Sequence, residues 1–272
     1  MHRILKALTN PYFAMYAIAK KFILIYEGFS YAFEKNGEKR LLEALEDSKV
    51  NTIFDVGANV GGWTEIALHQ FPNAKVHSFE ISKKTFKSLQ NKHAKNHRVL
   101  LNNFGLSNES GEFEYKDYGE NSGVNSLIVD ADFHDNRISP VIVKALVETG
   151  DDYCERYDIK EIDILKVDVE GAEHLVLSGF SGMLENGLIK LIQFEYGYTH
   201  GDAKFLIKDF YKLLEGYDYL LGPLKPNGVL FMDFDYALND FKSGPNYIAV
   251  HKSQKEIIDK VKGKSIKGFP RR

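Results

Sequence analysis

The chain has 272 residues, 44% hydrophobic and 27% charged, a balance that excludes a disordered or fibrous protein and suits one sizeable α/β domain with an extension. Lysine and arginine (35) nearly offset aspartate and glutamate (38), so the formal net charge of −3 gives no overall electrostatic reason to expect nucleic acid as a partner. The single cysteine, Cys154, excludes an intrachain disulfide and a Cys-rich zinc site, fits a cytoplasmic location, and reads as a packing residue.

Residues 1–45 read as an N-terminal helical extension. The apolar run Pro11 to Ala19 is interrupted by Lys20 and Lys21 before Phe22 to Tyr26. Two charges in its middle argue against a spanning helix, and no small-residue cleavage pattern follows, so a secretory leader is not expected. Two readings stay open: a helix packed on the core, or an interfacial helix in peripheral contact with a membrane. The remainder is read as one domain over 46–255, followed by a basic tail over 256–272 that carries Lys260, Lys262, Lys264, Lys267, Arg271 and Arg272.

From residue 37 a helical pattern leads into the short apolar run Thr52-Ile53-Phe54-Asp55-Val56, which stops at Gly57 and reads as a buried parallel strand. A helix over 63–70 follows, then a strand over 75–80 and a helix over 83–92. Val99-Leu100-Leu101 is the third strand. Residues 108–145 read as β-excursions, and Leu146 to Tyr157 as a helix. Strands are expected at 162–168 and 190–195, each followed by a helix (172–184 and about 202–215). The tail carries strand-like stretches at 217–221, 228–234 and 247–251. This alternation predicts a doubly wound, mostly parallel sheet with helices on both faces, finished by antiparallel pairing near the C-terminus.

Glycines at the turn after Asp55 let backbone approach a ligand, and Glu80 ends the next strand about twenty residues on, where a carboxylate accepts from the hydroxyls of a ribose. A dinucleotide turn needs glycine at the middle position, where this chain has Asn59. That speaks against a pyrophosphate on the turn and leaves an NAD(P)-dependent oxidoreductase as the runner-up. A non-catalytic scaffold that binds the cofactor is a third reading.

The segments Phe54 to Gly61, Ser78-Phe79-Glu80, Asn125-Ser126-Leu127 and Ile164 to Glu173 together resemble the FkbM family of methyltransferases, over roughly residues 50–200. The acidic stretch Lys166-Val167-Asp168-Val169-Glu170-Gly171-Ala172-Glu173 is the most specific part. The resemblance implies the class I methyltransferase fold, S-adenosylmethionine as methyl donor, and O-methylation of a small-molecule or glycan acceptor. It carries Gly57, Asn59 and Gly61 onto the methionine arm, Glu80 onto the ribose, and Asp55 near the cofactor's amino group. The adenine is expected beside the stretch from Asn103 to Ser107.

Asp168 is expected to face the transferred methyl group. With Glu170 it either deprotonates an acceptor hydroxyl or holds a divalent cation, and the sequence leaves metal dependence open. Glu170 and Glu173 also suit a helix N-terminus with no chemistry. Glu195 and His200 are the candidate bases beyond the fifth strand, and Tyr196 and Tyr198 read as walls of the acceptor pocket. His174 is a weaker candidate. Neither the acceptor nor the oligomeric state is legible.

Overall fold

The computed structural model describes residues 10–117, 141–236, 238, 241 and 244–263. Asn125-Ser126-Leu127, and the tail beyond 263, lie outside the described residues. The main sheet takes β1 (Thr52–Val56), β2 (Lys75–Phe79), β3 (Val99–Asn102), β7 (Ile162–Val167), β8 (Ile189–Glu195), β9 (Tyr219–Lys225), β10 (Gly228–Val229) and β11 (Asn246–His251). The order is β10-β9-β11-β8-β7-β1-β2-β3. All pairs from β3 to β8 are parallel, while β11 runs antiparallel to both β8 and β9. A dinucleotide-binding sheet of the 3-2-1-4-5-6 type has no such inserted strand. The fold is the Rossmann-like, class I methyltransferase arrangement.

Successive residues of the central strands feed two different cores, because a strand's side chains alternate between faces. Phe54, Leu165 and Ile192 go to one, with Tyr153, Phe180 and Phe210. Ile53, Ile164 and Leu191 go to the other, with Leu41 and Leu42 of α2 (Glu38–Ala44) and Leu68 of α3 (Gly62–Gln70). Both faces are thus covered, as near-continuous apolar strands require.

A second sheet, β4 (Gly105–Leu106), β6 (Val141–Glu148) and β5 (Gly111–Asp117), stands beyond β3. It accounts for the described part of the excursion after residue 108. It also corrects the expected helix over 146–157. Leu146, Val147 and Glu148 pair in β6, and α5 (Gly150–Arg156) starts only where Thr149 Oγ1 accepts from the Asp152 N–H (3.0 Å). Local capping decided that boundary.

The helix read over 172–184 is two, α6 (Glu173–Ser178) and α7 (Ser181–Glu185), because Phe180 between them turns fully into the core. Likewise 202–215 divides into α8 (Thr199–Asp202) and α9 (Ile207–Glu215). The strand expected over 228–234 pairs only at Gly228 and Val229. Beyond it the bonding to β9 is one-sided: Leu230 N–H donates to the carbonyl of Pro223 (3.1 Å), which has no N–H to return, and Met232 N–H donates to Leu221 (3.3 Å).

The remaining helices are α1 (Pro11–Glu27), α4 (Lys83–His93) and α10 (Lys255–Val261). Asn10 caps α1, accepting from the N–H groups of Tyr12 and Phe13. The helix ends in a left-handed Gly28, whose N–H and the next return to Ile25 and Leu24. Lys225 Nζ then clasps its last residue, donating to the Glu27 carbonyl (2.9 Å) and carboxylate (2.8 Å). Among the described residues no helix is long and apolar enough to cross a membrane.

Candidate active site

The carboxyl ends of β1, β2, β7 and β8 deliver Asp55, Glu80, Asp168 and Glu195 to one rim of the sheet. This is where ligands bind in open α/β sheets. The turn after β1 is built from left-handed residues: Gly57 (φ 81°), Asn59 (φ 49°) and Gly61 (φ 78°). A Cβ on Gly57 would lie 1.9 Å from the Asp168 carbonyl oxygen, so only glycine lets the two strand ends meet. Gly61 is needed for another contact. Its missing side chain makes room for Leu89 and His93 of α4, and its carbonyl oxygen lies 3.0 Å from His93 Nε2.

Glu80 is buried beside this turn. Its carboxylate accepts from the N–H groups of Asn59 (3.0 Å) and Ser82 (2.8 Å). Burial pushes its pKa up to about 7 despite those two donors. Asn103 donates to the Glu80 carbonyl (2.9 Å) and so joins the same rim. Ser107 does not: it is buried, its hydroxyl bonds to Asn108 and its N–H to the Glu148 carbonyl of β6. The Asn59 side-chain oxygen is buried without a hydrogen-bond partner among the described residues. An acceptor left open in a turn of left-handed backbone fits a ligand that brings a donor.

Asp55 is held in a row of polar side chains that crosses the sheet. Ser78, Asp55, Lys166 and Gln193 stand in register on neighbouring strands, on one face. Thr64 Oγ1 donates to Asp55 (2.6 Å), and Lys166 Nζ lies 3.3 Å from both Asp55 and Asp168. Gln193 continues the row by donating to Glu38 (2.6 Å), which also receives Asn36. Burial pulls the Lys166 pKa down, but Asp55, Asp168 and Glu38 outweigh it and hold the ammonium well above its ordinary value. Lys166 was missed in the sequence as an active-site member. Its signal was there, two residues before Asp168 in a strand and hence on the same face.

Asp168 keeps its side chain 36% exposed, the most open of the carboxylates in these ion pairs. Glu170 follows with φ 55°, a left-handed conformation that costs a non-glycine residue about 1 kcal/mol or more. The buried Glu173 carboxylate braces that turn by accepting from the N–H groups of Val169 (2.8 Å) and Gly171 (2.9 Å). His200 Nε2 lies 2.9 Å from the same carboxylate, and its Nδ1 accepts from the Gly197 N–H (3.2 Å). His200 is therefore inside the protein, behind Glu173, with Nε2 close to that carboxylate but outside hydrogen-bonding geometry. Burial alone would raise the Glu173 pKa, yet His200 and the Val169 N–H hold it below the usual carboxylate value. Stacking on Phe205 takes up His174.

Burial, then Asp168 and Glu173, push Glu170 up to about 8. Burial, then the charges of Asp168 and Glu170, hold Glu195 well above the usual carboxylate range. Tyr31, from the segment after α1, interacts with the hydroxyl of Tyr198 and lies within electrostatic reach of Glu195 and Glu170. Tyr198 is exposed and Tyr196 buried against His200 and Phe241. Among the described residues no group of three or more His, Cys, Asp or Glu is arranged to hold a metal ion.

The model of the methyltransferase FkbM domain matches residues 55–221, well over half of the chain. The chain belongs to the FkbM methyltransferase family. Both the glycine turn and the acidic stretch of this FkbM protein fall inside the match. A curated relative, the hexuronic acid methyltransferase AglP of Haloferax volcanii, is 27% identical over 177 residues, 65% of this chain and 68% of that protein. Similar solved structures include the O-methyltransferase TomG of Streptomyces achromogenes, involved in tomaymycin synthesis and in complex with SAM. It is 11% identical, covers 84% of this chain and 89% of its own, and has a TM-score of 0.44. Precorrin-6y C5,15-methyltransferase of Geobacter metallireducens is 14% identical, with coverages of 81% and 90% and a TM-score of 0.39.

Proposed function

We propose that this FkbM protein transfers a methyl group from S-adenosylmethionine to a hydroxyl oxygen of a sugar or similar small polyol. The observation that carries the reading is the pairing of two rims at one sheet edge. The Gly57–Asn59 turn is locked to the Glu80 carboxylate, and it abuts the Asp168–Glu170 turn at the Gly57–Asp168 contact. The hexuronic acid methyltransferase among the relatives supports a sugar acceptor.

Glu80 would take the ribose hydroxyls, Asn59 and Gly57 the methionine arm, and Asn103 the base side. Bound there, S-adenosylmethionine supplies an electrophilic methyl group on a sulfonium. The residues at the other rim then have to orient the acceptor and take its proton. Glu170 is assigned as the base, because a carboxylate raised to about 8 has a proton affinity suited to a hydroxyl near neutral pH. Glu170 would take the proton of the acceptor hydroxyl, and the bound donor would supply the methyl group that the oxygen receives in its place.

Asp168, tied to Lys166, tunes Glu170 by its charge. Glu195, held above the ordinary carboxylate range, is placed to give a hydrogen bond to an acceptor oxygen, and Tyr198 with Tyr31 walls the mouth. His200 and Glu173 are positioning residues that hold the Glu170 turn. Titration calorimetry with S-adenosylmethionine, followed by methyl-transfer assays over a panel of hexuronic acids and neutral sugars, tests the reading. No binding of the donor by the intact chain would refute it.

A further inference from the structure

The helix α1 exposes an unusual amount of apolar surface: Tyr12 is 80% and Phe22 69% accessible. At about 100° per residue, Ile25, Ile18, Phe22, Met15, Tyr12 and Tyr16 follow one another around half of the helix circumference. All six are exposed. Lys21 borders this arc on one side and Lys20 on the other, while Phe13 and Leu24, on the opposite face, are half-buried. Long lysine stems at the borders of an apolar arc suit an interface, with the stems in the apolar layer and the ammonium groups in water.

Charge says what covers the arc. Residues 1–26 carry Arg3, Lys6, Lys20 and Lys21 and no aspartate or glutamate; the first acid is Glu27, where Lys225 clasps it. A basic, apolar helix lacking acids matches an anionic lipid surface, where burial of apolar side chains and attraction to headgroups act together. At 17 residues, with two lysines mid-helix, it lies along the surface and does not cross. We propose that α1 is a membrane-surface anchor that lays its apolar arc into an anionic bilayer. The clasp at Glu27 and the position of Tyr31, just beyond Gly28, then bring the Tyr31–Tyr198 mouth to the lipid surface.

The test is co-sedimentation of the full chain with vesicles of mixed phosphatidylglycerol and phosphatidylcholine, compared with phosphatidylcholine alone. Partitioning is expected to be stronger on the anionic vesicles by on the order of tenfold and to weaken with added salt. Lys20→Glu with Lys21→Glu, and separately Met15→Glu with Phe22→Glu, should each cut it by a similar factor, with thermal unfolding by circular dichroism unchanged. A full-length chain that stays in the supernatant with anionic vesicles overturns the proposal. So does partitioning that both double variants leave intact. Self-association through α1 without lipid binding, seen by sedimentation velocity, would assign the arc to a second copy and also overturn it.

Discussion

The two rims that the proposed function assigns to donor and acceptor are built in different ways. The donor rim comes from one stretch, residues 55–80: a strand, a turn of left-handed backbone, and the carboxylate at the end of the next strand. The acceptor rim is assembled from Tyr31, from residues 168–173, and from Glu195 to His200, parts brought together only by the fold. Its chemistry rests on side chains that perturb one another, whereas the donor rim rests mainly on backbone. A backbone-based site tolerates little change at its glycines. The acceptor rim is adjustable residue by residue.

Substitutions can separate the two. The largest effect is expected from Glu170→Gln, a loss of roughly 10²- to 10⁴-fold in kcat if Glu170 is the general base, with donor affinity nearly unchanged in calorimetry. Equal turnover by this variant would remove Glu170 from the mechanism. Next comes Lys166→Met, which leaves the fully buried Asp55 without its cation. Denaturant unfolding should show a loss of about 3–5 kcal/mol, typical of a broken buried pair. Glu80→Ala acts on the donor rim alone, weakening S-adenosylmethionine binding by on the order of tenfold, as expected for lost hydrogen bonds to a charged group.

The smallest effect is a displacement along the pH axis. The active form of Glu170 is the carboxylate, so kcat/KM should rise with pH through about 8. Asp168→Asn removes a neighbouring charge that raises this value, and the ascending limb should move to lower pH. A limb that stays in place would separate Asp168 from the proton acceptor.

The same contrast explains what could be read before folding. Thr52 to Val56 and Ile162 to Val167 are mostly apolar runs, and Lys75 to Phe79 a mixed one, each closed by a glycine or an acid, as parallel strands with a site at their ends are. Glu80 was legible because its spacing from the turn follows from one strand–helix–strand unit. The place of Lys166 beside Asp168 was legible too, but its link to Asp55 was not, since that partner lies 111 positions away and only strand register joins them. His200 drew attention as a histidine near acids, but sequence cannot tell an imidazole facing an opening from one braced behind Glu173. Ser107 differs again: it follows β3 closely in the chain, yet its bond to Glu148 of β6 places it in the seam of the second sheet. The Leu146–Glu148 stretch looked helical because its partner strand, Gly111–Asp117, is distant in sequence.

The placement of β11 has a consequence for the order in which the site matures during synthesis. The strands behind the donor rim, β1 to β3, are complete once residue 102 has emerged, and their parallel pairing can begin early. The strand carrying Glu195 cannot gain its second neighbour until residues 246–251 are made, because β11 inserts between β8 and β9. Pairing across such sequence separations is slow and leaves an unpaired, apolar β8 edge exposed in the meantime. A nascent chain therefore has the strands on one side of the glycine turn well before the strand carrying Glu195 gains its second neighbour.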